Sequence, residues 1–267
     1  MSSSSTLASG KLVLDEPAPH VTRLRISNPD KRGALDHEIL DTLAETFGSL
    51  DARCVVLTGE PPMFSAGYDI GAFDDEHFSE QAEALVAHPF TAAIEAIEAY
   101  RFPVLAAING HAIGGGLEVA VTCDIRIAGR GVKMGMPPAK IGLIYSHTGL
   151  RKFVDACGLA NTNELFHVGR NVDAERGLAM GLVNHVVDDE DVEERSLAMA
   201  AEIAANAPLS LEGNKRVLRT LTEARSRLDP EVERQLVELR ESCFFSEDFR
   251  EGIRSFAEKR PPRWQGR

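Results

Sequence analysis

Asn109-Gly110-His111-Ala112-Ile113-Gly114-Gly115-Gly116-Leu117-Glu118 is the stretch on which the fold turns. Just upstream, 103–108 reads Pro-Val-Leu-Ala-Ala-Ile, an apolar run of the length of a buried strand. Just downstream, 117–123 reads as a short helix, with Glu118 in its first turn. A strand that passes through three glycines into a helix makes a βα corner, the place where open α/β proteins seat ligands. Glycine carries no Cβ, so its backbone can come within hydrogen-bond reach of another molecule. The first N–H groups of a helix lack internal acceptors, and the helix dipole adds partial positive charge. Such a corner suits an oxygen that becomes negative during a reaction.

A second corner lies upstream, where the apolar run Arg53-Cys-Val-Val-Leu-Thr58 leads into Phe64-Ser-Ala-Gly-Tyr-Asp-Ile70. One backbone N–H from each corner would form an oxyanion hole. Phosphate binding is the rival reading. Here the spacing fits neither the G-x-x-x-x-G-K-[ST] loop nor G-x-G-x-x-G with its ribose partner. Close helix–strand packing is another use for the glycines, and a first-turn glutamate such as Glu118 also offsets a helix dipole.

Outward from these corners, strands are expected at 12–14 and 21–26, the second alternating apolar and polar residues. Asp36 reads as an N-cap for a helix carrying Ile39, Leu40, Leu43 and Phe47 on one face. Residues 72–90 are acidic and weakly periodic and read as irregular, and 91–100 reads as an Ala/Ile/Glu helix. A strand at 124–128, a helix at 174–180 closed by Gly181, and a strand at 183–187 follow. Beyond about residue 191 the texture is helical, with faces at Leu197/Ala200/Ile203/Ala204, Val217/Leu218/Leu221 and Val232/Leu236/Leu239/Cys243. Strand–helix alternation followed by helices alone predicts an α/β core over 11–205 and a helical region over 206–267.

A net charge of −12 repels a polyanion and argues against a nucleic-acid partner. No apolar run reaches membrane-spanning length, and the start Met-Ser-Ser-Ser-Ser-Thr lacks the basic and apolar regions of a signal peptide. The four cysteines are scattered, with no metal-site or disulfide spacing, and read as core residues in a reducing cytoplasm. Two local clusters of cations, Lys31-Arg32 and the segment 258–267, could still serve a small anion or lie in solvated loops.

Taken together, several pieces resemble the crotonase superfamily, also called the enoyl-CoA hydratase/isomerase family. They are Asn28-Pro-x-x-Arg-x-Ala-Leu35, Val56-Leu-Thr-Gly-x-x-x-x-Phe-Ser-Ala-Gly-x-Asp-Ile70, Asn109-Gly-x-x-x-Gly-Gly-Gly-x-Glu118, Asp124-Ile-Arg-Ile-Ala128 and Glu247-Asp-Phe-x-Glu-Gly-x-x-x-Phe-x-Glu-Lys-Arg260. The resemblance implies an α/β fold, a crotonase-type spiral of ββα units with a helical C-terminal trimerisation region. It implies an acyl-CoA thioester as partner, a homotrimer or dimer of trimers, and no cofactor or metal beyond coenzyme A as part of the substrate. By motif position, the hole's N–H donors would be Tyr68 and Gly115. Ala66, Gly67, Asp69, Ile70 and Gly114 would line the substrate path, with Lys31, Arg32 and Lys259 near the CoA phosphates.

Two positions depart from the hydratases of this family. Glu118 matches the first of their two catalytic glutamates, but the second falls on Pro138, which cannot carry a proton. Tyr68 stands where a small residue is usual. The segment around Tyr145 and His147 is similar to the methylmalonyl-CoA decarboxylase branch, which carries a tyrosine at this position and no second glutamate. That resemblance implies a lyase in which Tyr145 orients a carboxylate, and His147 is a candidate proton donor because imidazole titrates near neutrality. Hydration or double-bond isomerisation with Glu118 as the single carboxylate stays open, as does an inactive CoA-binding scaffold. So do plain structural roles for Tyr145, His147 and His111.

Overall fold

The computed structural model describes residues 4–69 and 89–267. The chain opens with strands β1 (Ser5–Leu7), β2 (Leu12–Ala18) and β3 (Val21–Ile26), which pair antiparallel in sequence. From β3 onward the main sheet grows by parallel addition of β5 (Cys54–Gly59), β8 (Val104–Ile108), β10 (Ile125–Gly129) and β13 (His185–Val187). Its order is therefore β1-β2-β3-β5-β8-β10-β13. Registers such as Val55↔Val104 and Ile127↔His185 hold because both faces of the central strands are covered.

The period of two along each strand shows which cover lies on which face. Cys54, Val56, Leu105, Ala107 and Ile127 face Val192, Ala200 and Ala204 of α6 (Val192–Ala205). Their neighbours Val55, Leu57, Val104, Ala106 and Ile108 face the opposite way into the larger core. That core also takes Ile39, Leu40 and Leu43 of α1 (His37–Ser49) and Ile94 and Ile97 of α2 (Pro89–Ala99). Asp36 caps α1 by accepting from Ile39 N at 3.0 Å, as its sequence position predicts.

Two smaller sheets sit across the core from the first. One joins β12 (Val172–Asp173), β11 (Lys133–Gly135), β9 (His111–Ile113) and β6 (Met63–Ser65); the other pairs β4 (Ala34–Leu35) with β7 (Gly67–Tyr68). β3, β5, β8 and β10 thus each pass through a short second strand before the next helix, the repeating ββα spiral. After β9 comes α3 (Gly115–Thr122); after β11 come a short 3-10 turn at Pro138–Ile141 and α4 (His147–Asn163). The helix α5 (Ala174–Met180) ends at Gly181, whose φ of 82° supplies the expected left-handed cap.

Beyond residue 206 the chain forms α7 (Pro208–Arg225), α8 (Pro230–Phe244) and α9 (Glu247–Ala257), followed by a non-helical tail. The last two helices fold back on the core. Phe244 and Phe249 stack edge to face at 5.7 Å and pack against Tyr68, Ile141 and Leu143. The final residues return along α9. Glu251 accepts from Arg260 at 2.5 and 2.8 Å and from Arg263 N at 2.7 Å, and Asp248 accepts from the backbone of Gln265 and Gly266. This clamp holds the Glu251 carboxyl down to about 2, chiefly through the Arg260 guanidinium. The expected irregular segment at 72–90 lies, up to residue 88, outside the described residues.

Candidate active site

The two glycine corners meet. Gly114 takes φ 57°, a conformation side chains resist, and its N–H donates to Gly135 O at 2.8 Å, which pins the start of α3 to β11. A Cβ on Gly116 would stand 2.4 Å from Ser65 O, so α3 rests directly on β6. Ser65 is buried and ties the first corner, donating to Gly33 O at 2.7 Å and accepting from Gly67 N at 3.1 Å. Gly67 has φ 88°, and a Cβ there would lie 2.9 Å from Gly115 N. The two corners therefore touch at Gly67 and Gly115.

Ladder geometry then sets the direction of two N–H groups. Asp69 N donates to Leu35 O at 3.1 Å in the parallel β4–β7 pair, so the N–H of Tyr68, one residue earlier, turns away from β4. Gly115 is the first residue of α3, and its N–H has no acceptor among the described residues. Both predicted donors thus come to one place. The ring of Tyr68 leans over this point, edge to face with Phe90 at 4.7 Å, and a Cβ on Gly115 would meet both rings at 3.3–3.4 Å. That is where the bulk of Tyr68 goes.

One turn into α3, Glu118 is buried at 3% exposure, and the Tyr145 hydroxyl donates to its Oε2. Tyr145 is itself buried and held edge to face on Phe166 at 5.3 Å. Gly149 is needed beside them, since a Cβ there would lie 2.9 Å from Glu118 Oε1.

Burial raises the Glu118 carboxyl above its ordinary value of 4.5; the Tyr145 hydrogen bond and the positive charges of Lys152 and Arg240 oppose the rise. Burial, and then the nearby Glu118 charge, pushes both tyrosine hydroxyls upward. Lys152 is itself bonded to Glu98. Among the described residues no second carboxylate is bonded to the Glu118–Tyr145 pair, and Pro138 is a buried residue that opens the 3-10 turn.

The remaining predicted residues fall into three groups. Lys31, Arg32, Ala66, Gly67 and Asp69 form one ridge: Lys31 Nζ pairs with Asp69 Oδ2 at 2.5 Å, and Ala66 N donates to Arg32 O at 3.1 Å. Arg32 lines a cavity of about 320 Å³ with Asn28, Glu60 and Met63. Ile70 lies outside the described residues. Lys259 is exposed in the turn after α9, at φ 52°.

His147 is not brought to the Glu118–Tyr145 pair. It opens α4 with its Nε2 3.4 Å from Glu233 Oε1, in a separate cavity of about 410 Å³ shared with the α7–α8 turn. Its ring is held by the helical region and stands apart from the buried carboxyl. His111 accepts from Lys133 N at 3.0 Å in the β9–β11 sheet and acts as a structural bridge. Among the described residues, no group of three or more potential ligands is placed to hold a metal ion, and no helix is long and apolar enough to cross a membrane.

Sequence reasoning missed the aromatic wall of Phe90, Phe244 and Phe249 and the cation Arg240. A signal existed for Arg240. It falls four residues after Leu236 and three before Cys243, so it interrupts the apolar stripe of α8 with a charge.

The enoyl-CoA hydratase/isomerase family model matches residues 17–267. The chain belongs to the enoyl-CoA hydratase/isomerase family. As a crotonase-superfamily member it is an acyl-CoA enzyme, and its spiral is that of solved relatives. It is 34% identical to a probable enoyl-CoA hydratase of Bacillus subtilis (strain 168), over 92% of this chain and 95% of that one. It is 30% identical to the methylmalonyl-CoA decarboxylase of Escherichia coli (strain K12), over 88% and 91%. A solved methylmalonyl-CoA decarboxylase in complex with 2-nitronate-propionyl-CoA superposes with a TM-score of 0.87 at 26% identity, covering 96% of this chain and 99% of the other. Hydratases and a decarboxylase thus stand at similar distance within the family.

Proposed function

We propose that this family member is a lyase that removes CO2 from a 2-carboxyacyl-CoA such as methylmalonyl-CoA. The observation that carries the reading is the buried Tyr145–Glu118 hydrogen bond, with a proline at the place of a second carboxylate. Two carboxylates are needed to hold and split a water in the paired mechanism. A tyrosine over one carboxyl can instead hold a substrate carboxylate.

In this reading the thioester oxygen sits between Tyr68 N–H and Gly115 N–H. Tyr145 turns the substrate carboxylate out of the thioester plane. The bond between the α-carbon and the carboxyl carbon breaks, its electron pair passes into the thioester as an enolate, and CO2 leaves. The two N–H groups stabilise the oxygen that gains charge; removing one such donor costs about 3–4 kcal/mol in comparable sites. The enolate then takes a proton at its α-carbon from the Glu118–Tyr145 pair, which is reprotonated from water. A carboxyl raised by burial holds that proton at a higher pH than a solvated one would. The pair replaces His147 as the donor.

The reading calls on no metal or redox cofactor, since coenzyme A enters with the substrate. The ridge of Lys31, Arg32, Ala66, Gly67 and Asp69, with Ile70, Gly114 and Lys259, is assigned to the CoA moiety. Leu209, Val217, Leu218 and Leu221 on α7 and Leu239 on α8 are exposed apolar residues, and they are assigned to a trimer interface.

The test is a mass-spectrometric assay with crotonyl-CoA and methylmalonyl-CoA offered side by side. Loss of CO2 from methylmalonyl-CoA alone is the expected outcome. Gain of water on crotonyl-CoA alone would overturn the reading in favour of a single-carboxylate hydratase.

A further inference from the structure

Arg240 lies on the inward side of α8. Its guanidinium stands 5.9 Å from the ring of Phe244, which packs with Phe249 and Tyr68 at the edge of the site. Its Nε is buried and has no hydrogen-bond partner. A buried guanidinium donor without an acceptor is destabilising, so its presence in an apolar stripe calls for a reason.

The buried cations Lys152 and Arg126 are occupied. Lys152 is bonded to Glu98. Arg126 is satisfied by the carbonyls of Leu182, Val121 and Cys123. Arg151 also carries a buried, unpartnered Nε, but it donates to Ser226 and lines the separate His147 cavity. Of the two guanidiniums with an unpartnered Nε among the described residues, Arg240 is the one beside Phe244, whose cluster packs against Tyr68, and its positive charge opposes the upward shifts of Tyr68 and Glu118.

We propose that Arg240 is a specificity-determining residue that receives the carboxylate of a 2-carboxyacyl thioester. The substrate class rests on the decarboxylase reading; the role of the residue as an anion receiver does not. A substrate carboxylate entering beside Glu118 would bring a second negative charge into a dry site. A guanidinium offsets it and offers paired donors that match a carboxylate. The departing CO2 is neutral, so this cation favours the bound substrate over the transition state. Its contribution is to selection and affinity, while kcat gains nothing from it.

The experiment is calorimetric titration with two unreactive thioethers, 2-carboxypropyl-CoA and propyl-CoA. The wild-type chain is compared with R240Q and R240K, each first shown by circular dichroism and thermal melting to be folded. Wild type should prefer the carboxylated probe by about ten- to a hundredfold. R240Q should lose that preference with propyl-CoA affinity unchanged, and R240K should recover part of it. With a turned-over substrate, R240Q should raise KM and leave kcat level or higher. No preference in the wild type, or equal weakening toward both probes in R240Q, would overturn the proposal. A retained preference with no decarboxylation of any 2-carboxyacyl thioester would overturn the reaction reading and leave Arg240 as the anion receiver.

Discussion

The hydroxyl of Tyr145 donates to Oε2 of Glu118 with both side chains buried, so the acidity of the one site carboxyl is set by a phenol on a different element of the fold. The bond favours the ionised carboxylate and opposes the rise that burial causes. Tyr145→Phe removes that opposition. The Glu118 limb of the pH–rate profile should move to higher pH, and kcat/KM should fall by about 10²-fold. A limb that stays in place would remove Tyr145 from control of the carboxyl.

Glu118→Gln should lower kcat by about 10²–10⁴ while making the fold more robust to heat. The sign follows from burial. A carboxyl whose folded value is raised contributes stability below the unfolded value of 4.5, and that contribution is lost as pH climbs through the folded value. The glutamine variant has no such loss. Its melting midpoint should match the wild type below about pH 4.5 and exceed it at neutral pH. Equal midpoints across the range would show that Glu118 is not held at a raised value.

Gly67→Ala places a methyl 2.9 Å from Gly115 N at φ 88°. It should cost more than about 1 kcal/mol of stability and abolish most turnover by separating the two donors. Gly48→Ala in α1 meets nothing within 4 Å and should be neutral or stabilising by about 0.5–1 kcal/mol. Urea titration of both variants checks the contrast, and a mild Gly67→Ala phenotype would break the assignment of this corner.

Lys31→Ala and Lys259→Ala should each weaken binding of free coenzyme A by roughly 5- to 20-fold at low salt, with the difference shrinking as salt rises. Lys31 is shared with Asp69, so Asp69→Asn should move affinity in the opposite direction. Salt-independent affinity in both lysine variants would place these side chains on the solvated surface.

Much of this was legible in the chain because the residues that make the corners have few other uses. Gly114 is required by its φ, Gly116 by the approach of Ser65, and both stand in one short stretch. β5 and β8 of the main sheet announce themselves as apolar runs and β3 by its alternation, whereas β1 does not. The two- and three-residue strands β4, β6, β7, β9, β11 and β12 do not, because so short a segment has no measurable period. The helix α4 was also unread: its glycines at 149 and 158 and its polar faces hide the repeat. At the site, Glu118 and Tyr145 were found by position. The placement of His147 against Glu233 was not, because that contact joins segments far apart in sequence. The same holds for Phe244 and Phe249 against Tyr68.

That last packing also has a temporal side. Tyr68 belongs to an early turn of the spiral, whereas Phe244 and Phe249 lie in α8 and α9 and are synthesised well after it. The α/β turns can gather their core as the chain emerges, but one wall of the pocket is absent until α8 and α9 arrive. A nascent chain would therefore acquire stability before it acquires a closed pocket, and catalysis would be the final property to mature.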